Sequence, residues 1–490
     1  MACLACKKEG PEIIDPESIY ISKSSLYMIT GDVRYLNVTV LPANATDKSF
    51  TWISSDSTVA SIHNGSVNAL SPGVVSITAI CGDGLEAVCE VTVVSEIPSS
   101  LSLLHTEGNL VKNEAGESIM LRGTNLGSWL VQEDWMTGNT TGCQKDMIET
   151  LTARFGKEVC GQLIDIWEDN FIKETDIDNI KNIGLNCIRV PFTFMNLVEL
   201  EDYEWKDDAF ERLDWIVREC GERGLYVILD MHGAPGSQNG SDHSGIDGGD
   251  AKEAASAFFF GTNAAINQDK FYKIWEQIAM RYEGNNTVAG YDLLNEPFCT
   301  WRYSSALGQS GLHNLLFPIY NEAYKRIRAI DDRHIIIMEA TWDPWDLPNP
   351  SIYSWSNIIY QYHNYQYSDY DNANGEQITS MTNKLDYIMD YDNSYNVPNL
   401  LGEFCYMNNP AAWREGMALL NSYGVHWTTW SYKVKEGNGN WGIYTCPSYG
   451  VNVSTALNSE IRSKWADQAS AKNTSLYMIL SEYAQGKTDF

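Results

Sequence analysis

Between residue 103 and the C-terminus, short apolar runs alternate eight times with amphipathic stretches, and this alternation restricts the fold more than any other feature of the chain. The runs occupy residues 120–126, 185–192, 225–233, 288–297, 334–341, 357–365, 399–406 and 425–433. Stretches between them, such as 210–224 and 312–330, carry apolar residues at i, i+3, i+4 and i+7, the spacing of one helical face. The runs are apolar rather than alternating, which is the pattern of strands buried on both faces of a parallel sheet. Eight such units predict an α/β fold of the (β/α)8, or TIM-barrel, type. Each run ends in polar or aromatic residues, at the edge where such barrels carry their chemistry.

Residues 17–95 follow a different rule. Short alternating runs such as SIYIS, YLNVTVLP and AVCEVTVV are separated by turn residues, the signature of an all-β sandwich. The stretch FTWISSDSTVASIHNGSVNALSPGVVSITA, closed by CEVTV, resembles the bacterial immunoglobulin-like group 2 domain. It has no clustered His, Asp and Glu and no Gly-rich phosphate loop, so it reads as a spacer. Residues 1–16, with Pro11 and Pro16, read as a tether, residues 96–102 as a linker, and residues 103–490 as the barrel domain. Leu4-Ala5-Cys6 is similar to a bacterial lipoprotein cleavage site, although Cys3 stands where Leu is usual. That similarity implies a lipid anchor through Cys6 and an extracellular, periplasmic or cell-surface location.

Of the 11 cysteines, Cys187, Cys220 and Cys405 sit singly in apolar segments and read as buried thiols. Cys81 and Cys89 flank the hairpin CGDGLEAVC, where an oxidising compartment would favour a cross-hairpin disulfide. Cys3 and Cys6 face no second pair at zinc-ligand spacing, so no metal site and no cofactor are expected. The formal net charge of -30 argues against nucleic acid, whose binding runs on Lys and Arg, and suits a neutral polymer. The 16 Trp and 27 Tyr fit the same class, because sugar rings present apolar C–H faces to aromatic side chains. No apolar run reaches the roughly 18 residues of a membrane-spanning helix. A monomer is expected.

Cleavage of a glycoside needs two carboxyl groups, one to protonate the leaving oxygen and one to attack or to activate water. Two candidates lie at the ends of separate runs. Glu296 follows Asn295 at the end of YDLLNEP, and Glu403 lies in LLGEF. On a barrel the fourth and seventh strands face each other across the mouth. With these residues in place, the segment from Leu103 onward resembles glycoside hydrolase family 5, and within it the exo-β-1,3-glucanase-like branch. The motifs RGTNLGSWLVQEDWM, LDMHGAPGSQNG, YDLLNEP, HNYQ, GEF and WTTWSYK follow in that family's order.

The resemblance implies roles residue by residue. Arg189 matches the cation beside the nucleophile and His232 a sugar contact at the cleavage site. Asn295 matches the binder of the sugar 2-hydroxyl, and Glu296 the acid/base, whose pKa should be raised so that it starts protonated. His363 and Tyr365 match the sixth-strand pair, Glu403 the nucleophile, and Trp430 the floor under the sugar. Glu133 matches the residue that closes the sugar pocket in the exo-glucanases, and Asn239 lies in the third-strand loop within reach of it. The chain departs from the branch at Ser128 and Asp134, in FCYMNNP, and in FCTWRYSSALGQSG. Trp301, Trp342 and Trp441 are candidate sugar platforms. The expected function is therefore retaining hydrolysis of a neutral β-glucan, in the exo-β-1,3 manner. The alternatives are an endo-acting β-1,4- or β-1,6-glucanase, a glycolipid β-glucosidase or, in another class, a catalytically inactive surface glycan-binding protein or an adhesin.

Overall fold

The computed structural model describes residues 13–82, 84–248, 256–297, 301–341, 343–368, 375–435, 441–446 and 450–489. The tether residues 1–12, with Cys3 and Cys6, lie outside that range, as does Trp342. The chain divides into two compact units, Met1–Ile97 with Trp205–Asp214, and Pro98–Glu204 with Trp215–Phe490.

In the larger unit eight strands close into a barrel: β1 (Arg122–Asn125), β2 (Cys187–Thr193), β3 (Tyr226–Gly233), β4 (Val288–Asp292), β5 (Ile335–Glu339), β6 (Ile358–Asn364), β7 (Asn399–Phe404) and β8 (His426–Thr429). Neighbours in sequence are parallel neighbours in the barrel, and β8 pairs back onto β1. Strands β2, β3, β4, β5 and β7 are buried at every position, which is why their sequences lack alternation. Near the strand starts, Leu104, Val111, Leu121, Cys187, Ile335, Ile359 and Leu400 join one apolar cluster. A two-stranded hairpin, His105–Glu107 with Leu110–Lys112, contributes Val111 to it. That end is sealed by hydrocarbon, so the polar ends of the strands collect at the other.

The helices obey local signals. Helix Pro410–Tyr423 starts at Asn409, whose side chain accepts the Ala411 and Ala412 N–H groups, and it stops at Gly424, which takes the left-handed conformation (φ 68°). The amphipathic stretch 210–224 forms helix Glu211–Arg223. All but the last two residues of the stretch 312–330 fall within Trp301–Arg328, whose helical path is interrupted at Gly308.

Two runs overshoot their strands furthest. The fourth stops at Asp292; the Leu293 and Asn295 N–H groups still bond the Ile337 and Met231 carbonyls, and the chain then turns away at Glu296 (φ 41°). The eighth stops at Thr429. Trp430 N–H then bonds Phe404 O and Ser431 N–H bonds Trp441 O, and the chain re-enters a separate sheet of Lys433–Lys435, Tyr444–Cys446 and Ala471–Lys472. In both cases the residues that follow the strand are the ones with chemistry, and their side chains reach the barrel mouth because the backbone has left the pleat.

The smaller unit holds a four-stranded sheet of Ser25–Ile29, Leu85–Val94, Gly73–Cys81 and Phe50–Ser54, and a three-stranded sheet of Val33–Tyr35, Ser66–Ala69 and Ala60–His63. Met28, Ile77 and Val91 from the first sheet share a core with Ala60, Val67 and Ala69 from the second, so the sandwich expected from the alternating runs is present. The expected disulfide is not. Cys81 and Cys89 are both buried free thiols. The hairpin register pairs Cys81 with Leu85 and Cys89 with Ile77. The two sulfurs are therefore separated along the hairpin by about 13 Å, beyond disulfide reach.

Candidate active site

The site is organised around Arg189, which is fully buried on β2. Its Nε donates to Asp292 Oδ2 (2.8 Å), Nη1 to Asn125 Oδ1 (3.1 Å) and Glu403 Oε1 (2.9 Å), and Nη2 to Asn295 Oδ1 (2.9 Å). Asp230 Oδ2 lies 3.1 Å and Glu339 Oε2 3.7 Å from Nη2. Burial works against the guanidinium charge, but Asp230, Asp292, Glu403 and Glu339 outweigh it and hold the arginine pKa above its ordinary value. The acids compete for one cation. Burial pushes Asp230 up to about 7 and Asp292 up to about 6 despite Arg189, and it leaves Glu339 well above the usual carboxylate range.

Glu403 on β7 stands beside His363 on β6, where the ladder shifts register between Tyr362 and His363. Tyr365 donates its hydroxyl to Glu403 Oε2 (2.8 Å) while Arg189 holds Oε1, so both carboxylate oxygens are fixed. Glu296 reaches the mouth from the loop after β4. Gln238 ties that loop to the loop after β3, donating to the carbonyls of His232 (2.8 Å) and Asn295 (2.7 Å). Asn239 Nδ2 donates to the Glu296 carbonyl (3.2 Å). Glu296 Oε1 lies 2.8 Å from His363 Nδ1, and Oε2 lies 3.2 Å from His243 Nε2. A carboxylate oxygen of Glu296, one of Glu403 and a ring nitrogen of His363 all lie within 4.8 Å of one another. Among the described residues this is also the one cluster with the geometry to hold a cation, but a cation there would displace the His363–Glu296 bond.

The imidazoles differ. Burial pushes His232 down to about 3, so it is neutral. Its Nδ1 faces Asp230 Oδ2 (2.7 Å), and its Nε2 faces the Asn295 amide nitrogen (3.3 Å). His363 is also buried, but Glu339, Glu403 and Glu296 overcome burial and push it up to about 9. Burial resists charge on Glu296, yet the His243 and His363 imidazoles beside its two oxygens outweigh burial and draw its carboxyl well below the ordinary range whenever they carry protons toward it. This is the reverse of the raised acid expected from the sequence.

His232, His243, Asn295, Glu296, Tyr365 and Glu403 line a cavity of about 520 Å³ together with Trp135, Tyr367, Trp430, Lys435 and Trp441. Trp430 stacks on His232 (ring centroids 5.4 Å apart, planes at 12°). Trp441 packs against Trp135 at 5.1 Å and Tyr365 at 5.7 Å, making an aromatic wall. Glu133 accepts from Trp135 Nε1 (2.8 Å) through Oε2, while Oε1 meets no donor among the described residues. Burial pushes Glu133 up to about 8. The folded state thus keeps this carboxyl neutral while the unfolded chain ionises it above pH of about 4.3, so stability falls as pH rises from about 4 to about 8. Glu133→Gln should therefore leave stability near pH 4 unchanged and raise it at pH 8, by up to about 5 kcal/mol, with the melting temperature following. A variant no more stable at pH 8 than the parent would contradict a neutral, buried Glu133.

The cellulase (glycosyl hydrolase family 5) family matches residues 143–436, more than half of the chain. The chain belongs to glycosyl hydrolase family 5. The bacterial Ig-like domain (group 2) family matches residues 17–91 of this family 5 protein. A β-xylosidase of Phanerodontia chrysosporium is 29% identical to it over 268 residues, 54% of this chain and 52% of the relative. A probable glucan 1,3-β-glucosidase A of Aspergillus niger is 28% identical over 256 residues, 52% of this chain and 57% of the relative. The chain thus spans about half the length of the relatives it matches. In fold it is similar to an endogalactoceramidase (TM-score 0.53, 18% identity, 75% of this chain and 85% of that one). A rutinosidase from Aspergillus niger is alike to the same degree (TM-score 0.53, 17% identity, 66% of this chain and 93% of that one).

In this family 5 chain the barrel mouth brings together Arg189, His232, Asn295, Glu296, His363, Tyr365, Glu403 and Trp430, with Glu133 lining the same cavity. Asn239 reaches Glu296 through its backbone carbonyl and His243 through its side chain. Of the three tryptophans considered as platforms, Trp441 lines the cavity, and Trp342 and the Trp301 side chain lie outside the described residues. Sequence reasoning missed Asp230, Asp292, Glu339, His243, Trp135 and Tyr367. The first three had a signal: each is the single acid inside an otherwise apolar strand. A buried strand carries such a residue only when it has a partner.

Proposed function

We propose that the chain is a retaining β-glucosidase that releases glucose from a neutral β-glucan, most simply a β-1,3-glucan. The observation that carries the retaining part is the closeness of the two carboxylates, oxygens of Glu296 and Glu403 lying within 4.8 Å. Retention goes with carboxyl groups about 5–5.5 Å apart, and inversion needs a wider gap that admits water. Glu403, aimed by Arg189 and Tyr365, attacks the anomeric carbon as Glu296 gives a proton to the departing oxygen. A glycosyl–Glu403 ester forms. Glu296, now ionised, takes a proton from water, whose oxygen displaces Glu403 with the original configuration restored. Trp430 supplies the apolar face on which the sugar rests, and Asn295 is placed by Arg189 to reach its 2-hydroxyl.

Two observations support the exo-β-1,3 reading. Glu133, Trp135 and Trp441 wall one side of the cavity. Several relatives, at 27–32% identity, are glucan 1,3-β-glucosidases by name. A lipid anchor at Cys6 and an extracellular or cell-surface location are proposals supported by the Leu4-Ala5-Cys6 motif alone. The test is a timed product profile on laminarin, pustulan, lichenan and carboxymethyl-cellulose, with the anomer of the first product followed by proton NMR. Glucose alone from laminarin, appearing first as the β-anomer, is the expected result. An α-anomer appearing first would refute retention, and a ladder of oligosaccharides would refute the exo mode.

A further inference from the structure

General acid catalysis requires a proton on Glu296 before the glycosidic bond breaks, yet an imidazole stands against each of its oxygens. Whether an imidazole nitrogen donates or accepts is set by its other neighbours. At His243 the deciding neighbour is Asn239. The Asn239 Oδ1 accepts the Ser241 backbone N–H (3.0 Å), and its Nδ2 donates to the Glu296 carbonyl (3.2 Å). Two partners of opposite kind thus fix which end of the amide is which. The same Nδ2 lies 2.9 Å from His243 Nε2. An amide nitrogen only donates, so Nε2 accepts and the ring proton sits on Nδ1. The arrangement repeats at His232, where Arg189 claims the Asn295 oxygen and turns the Asn295 nitrogen toward Nε2.

The single lone pair of an accepting Nε2 is shared between the Asn239 Nδ2 donor at 2.9 Å and Glu296 Oε2 at 3.2 Å. That lone pair repels an ionised oxygen and holds a protonated one. We propose that His243 is a positioning residue for the acid, locked by Asn239 in the accepting tautomer so that the proton of Glu296 stays on Oε2 in the free enzyme. The proposal rests on the reading of Glu296 as acid/base. In the first half-reaction the proton leaves Oε2 for the departing glycosidic oxygen, and in the second it returns from water, with His243 unchanged throughout. An accepting His243 removes one of the two imidazole donors that draw the Glu296 carboxyl down, leaving His363 on Oε1 as the other.

Other titratable groups act on the pair. Asp242 Oδ1, 3.9 Å from His243 Nδ1, favours a proton on that nitrogen. Whatever charge Asp230 and Glu339 carry favours protonation of Glu296, Glu403 lies within 4.8 Å of it, and His363 opposes protonation from the Oε1 side. Glu133, His232, Tyr365, Tyr367 and Lys435 complete the ionisable surroundings among the described residues. Substitution at 243 leaves every one of these groups in place.

The experiment is the pH profile of kcat/KM on laminarin, whose basic limb reports loss of the acid's proton. His243→Ala should move that limb to lower pH by about one unit, the worth of one hydrogen bond. His243→Gln, which retains an acceptor, should restore part of the shift, and Asn239→Ala should move the limb in the same direction as His243→Ala. A limb that rises in His243→Ala means that the imidazole donates, and an unmoved limb means that it is not coupled to the acid. Either result overturns the proposal. Should His243→Ala fail to fold, the Gln and Asn239→Ala profiles decide by the same signs. Glu296→Gln separates the two levels: if it retains turnover on laminarin the acid/base reading itself falls, whereas a dead Glu296→Gln with an unmoved limb in His243→Ala removes only the role of His243.

Discussion

Glu403→Ala is expected to lower kcat on laminarin by roughly four orders of magnitude or more while leaving the melting temperature unchanged or higher. The two halves of this expectation have different causes. Turnover falls because, among the described residues, no other carboxylate is aimed at the cavity by both a guanidinium and a phenol. Stability survives because Arg189 keeps Asp230, Asp292 and Glu339 after the change, so the buried cation is never left alone. Removing one of several acids that share it also relieves like-charge repulsion. Initial rates and a thermal melt on the same preparation check both halves. Near-normal activity would sink the assignment of Glu403, and a collapse of the melt would show that the cluster is balanced differently.

The opposite substitution at the same contact is expected to be the most damaging single change in the barrel. Arg189→Met removes the cation and leaves Asp230, Asp292, Glu339 and Glu403 facing one another in a buried space. Breaking a buried charge cluster from one side costs about 3–5 kcal/mol. The loss should depend on pH with a definite sign. Without the guanidinium Asp230, Asp292 and Glu339 rise further from their unfolded values, so the folded state holds protons that the unfolded chain releases. The variant should therefore be closest to the parent at about pH 5 and fall away toward pH 8. The marker is the difference in melting temperature between the two proteins across that range. A difference that is flat, or that grows toward acid, would mean that the acids are satisfied by some group other than Arg189.

The parts of this architecture that were legible in the sequence are those set by local pattern. Apolar runs gave strands because both faces of a barrel strand are covered, and Asn295-Glu296-Pro297 marked a strand end because its residues cannot extend a buried ladder. Register was not legible. Cys81 and Cys89 bracket a short hairpin, yet the turn lies between Cys81 and Leu85, and Cys89 is carried down the strand to Ile77. Contacts made by loops were not legible either. His243 meets Glu296 only because the loop after β3 folds under Gln238 and Asn239, and Trp135 meets Trp441 only because chain segments far apart in sequence return to the mouth. The acids around Arg189 stood in plain view inside apolar strands, but which cation they served depended on the closure of the barrel.

All eight cysteines among the described residues are free and buried. Burial pushes Cys89 in the sandwich up to about 11, and it raises Cys187, Cys220 and Cys405 in the barrel. A thiol reacts as its thiolate, and these side chains form one only when the surrounding structure opens. Each unit therefore carries its own internal clock. With Cys3, Cys6 and Cys299 changed to serine, the rate at which a thiol reagent modifies Cys89 times the breathing of the sandwich, and its rate at Cys187 times that of the barrel. The two domains can be followed separately in one tube, with no label added to the surface of either.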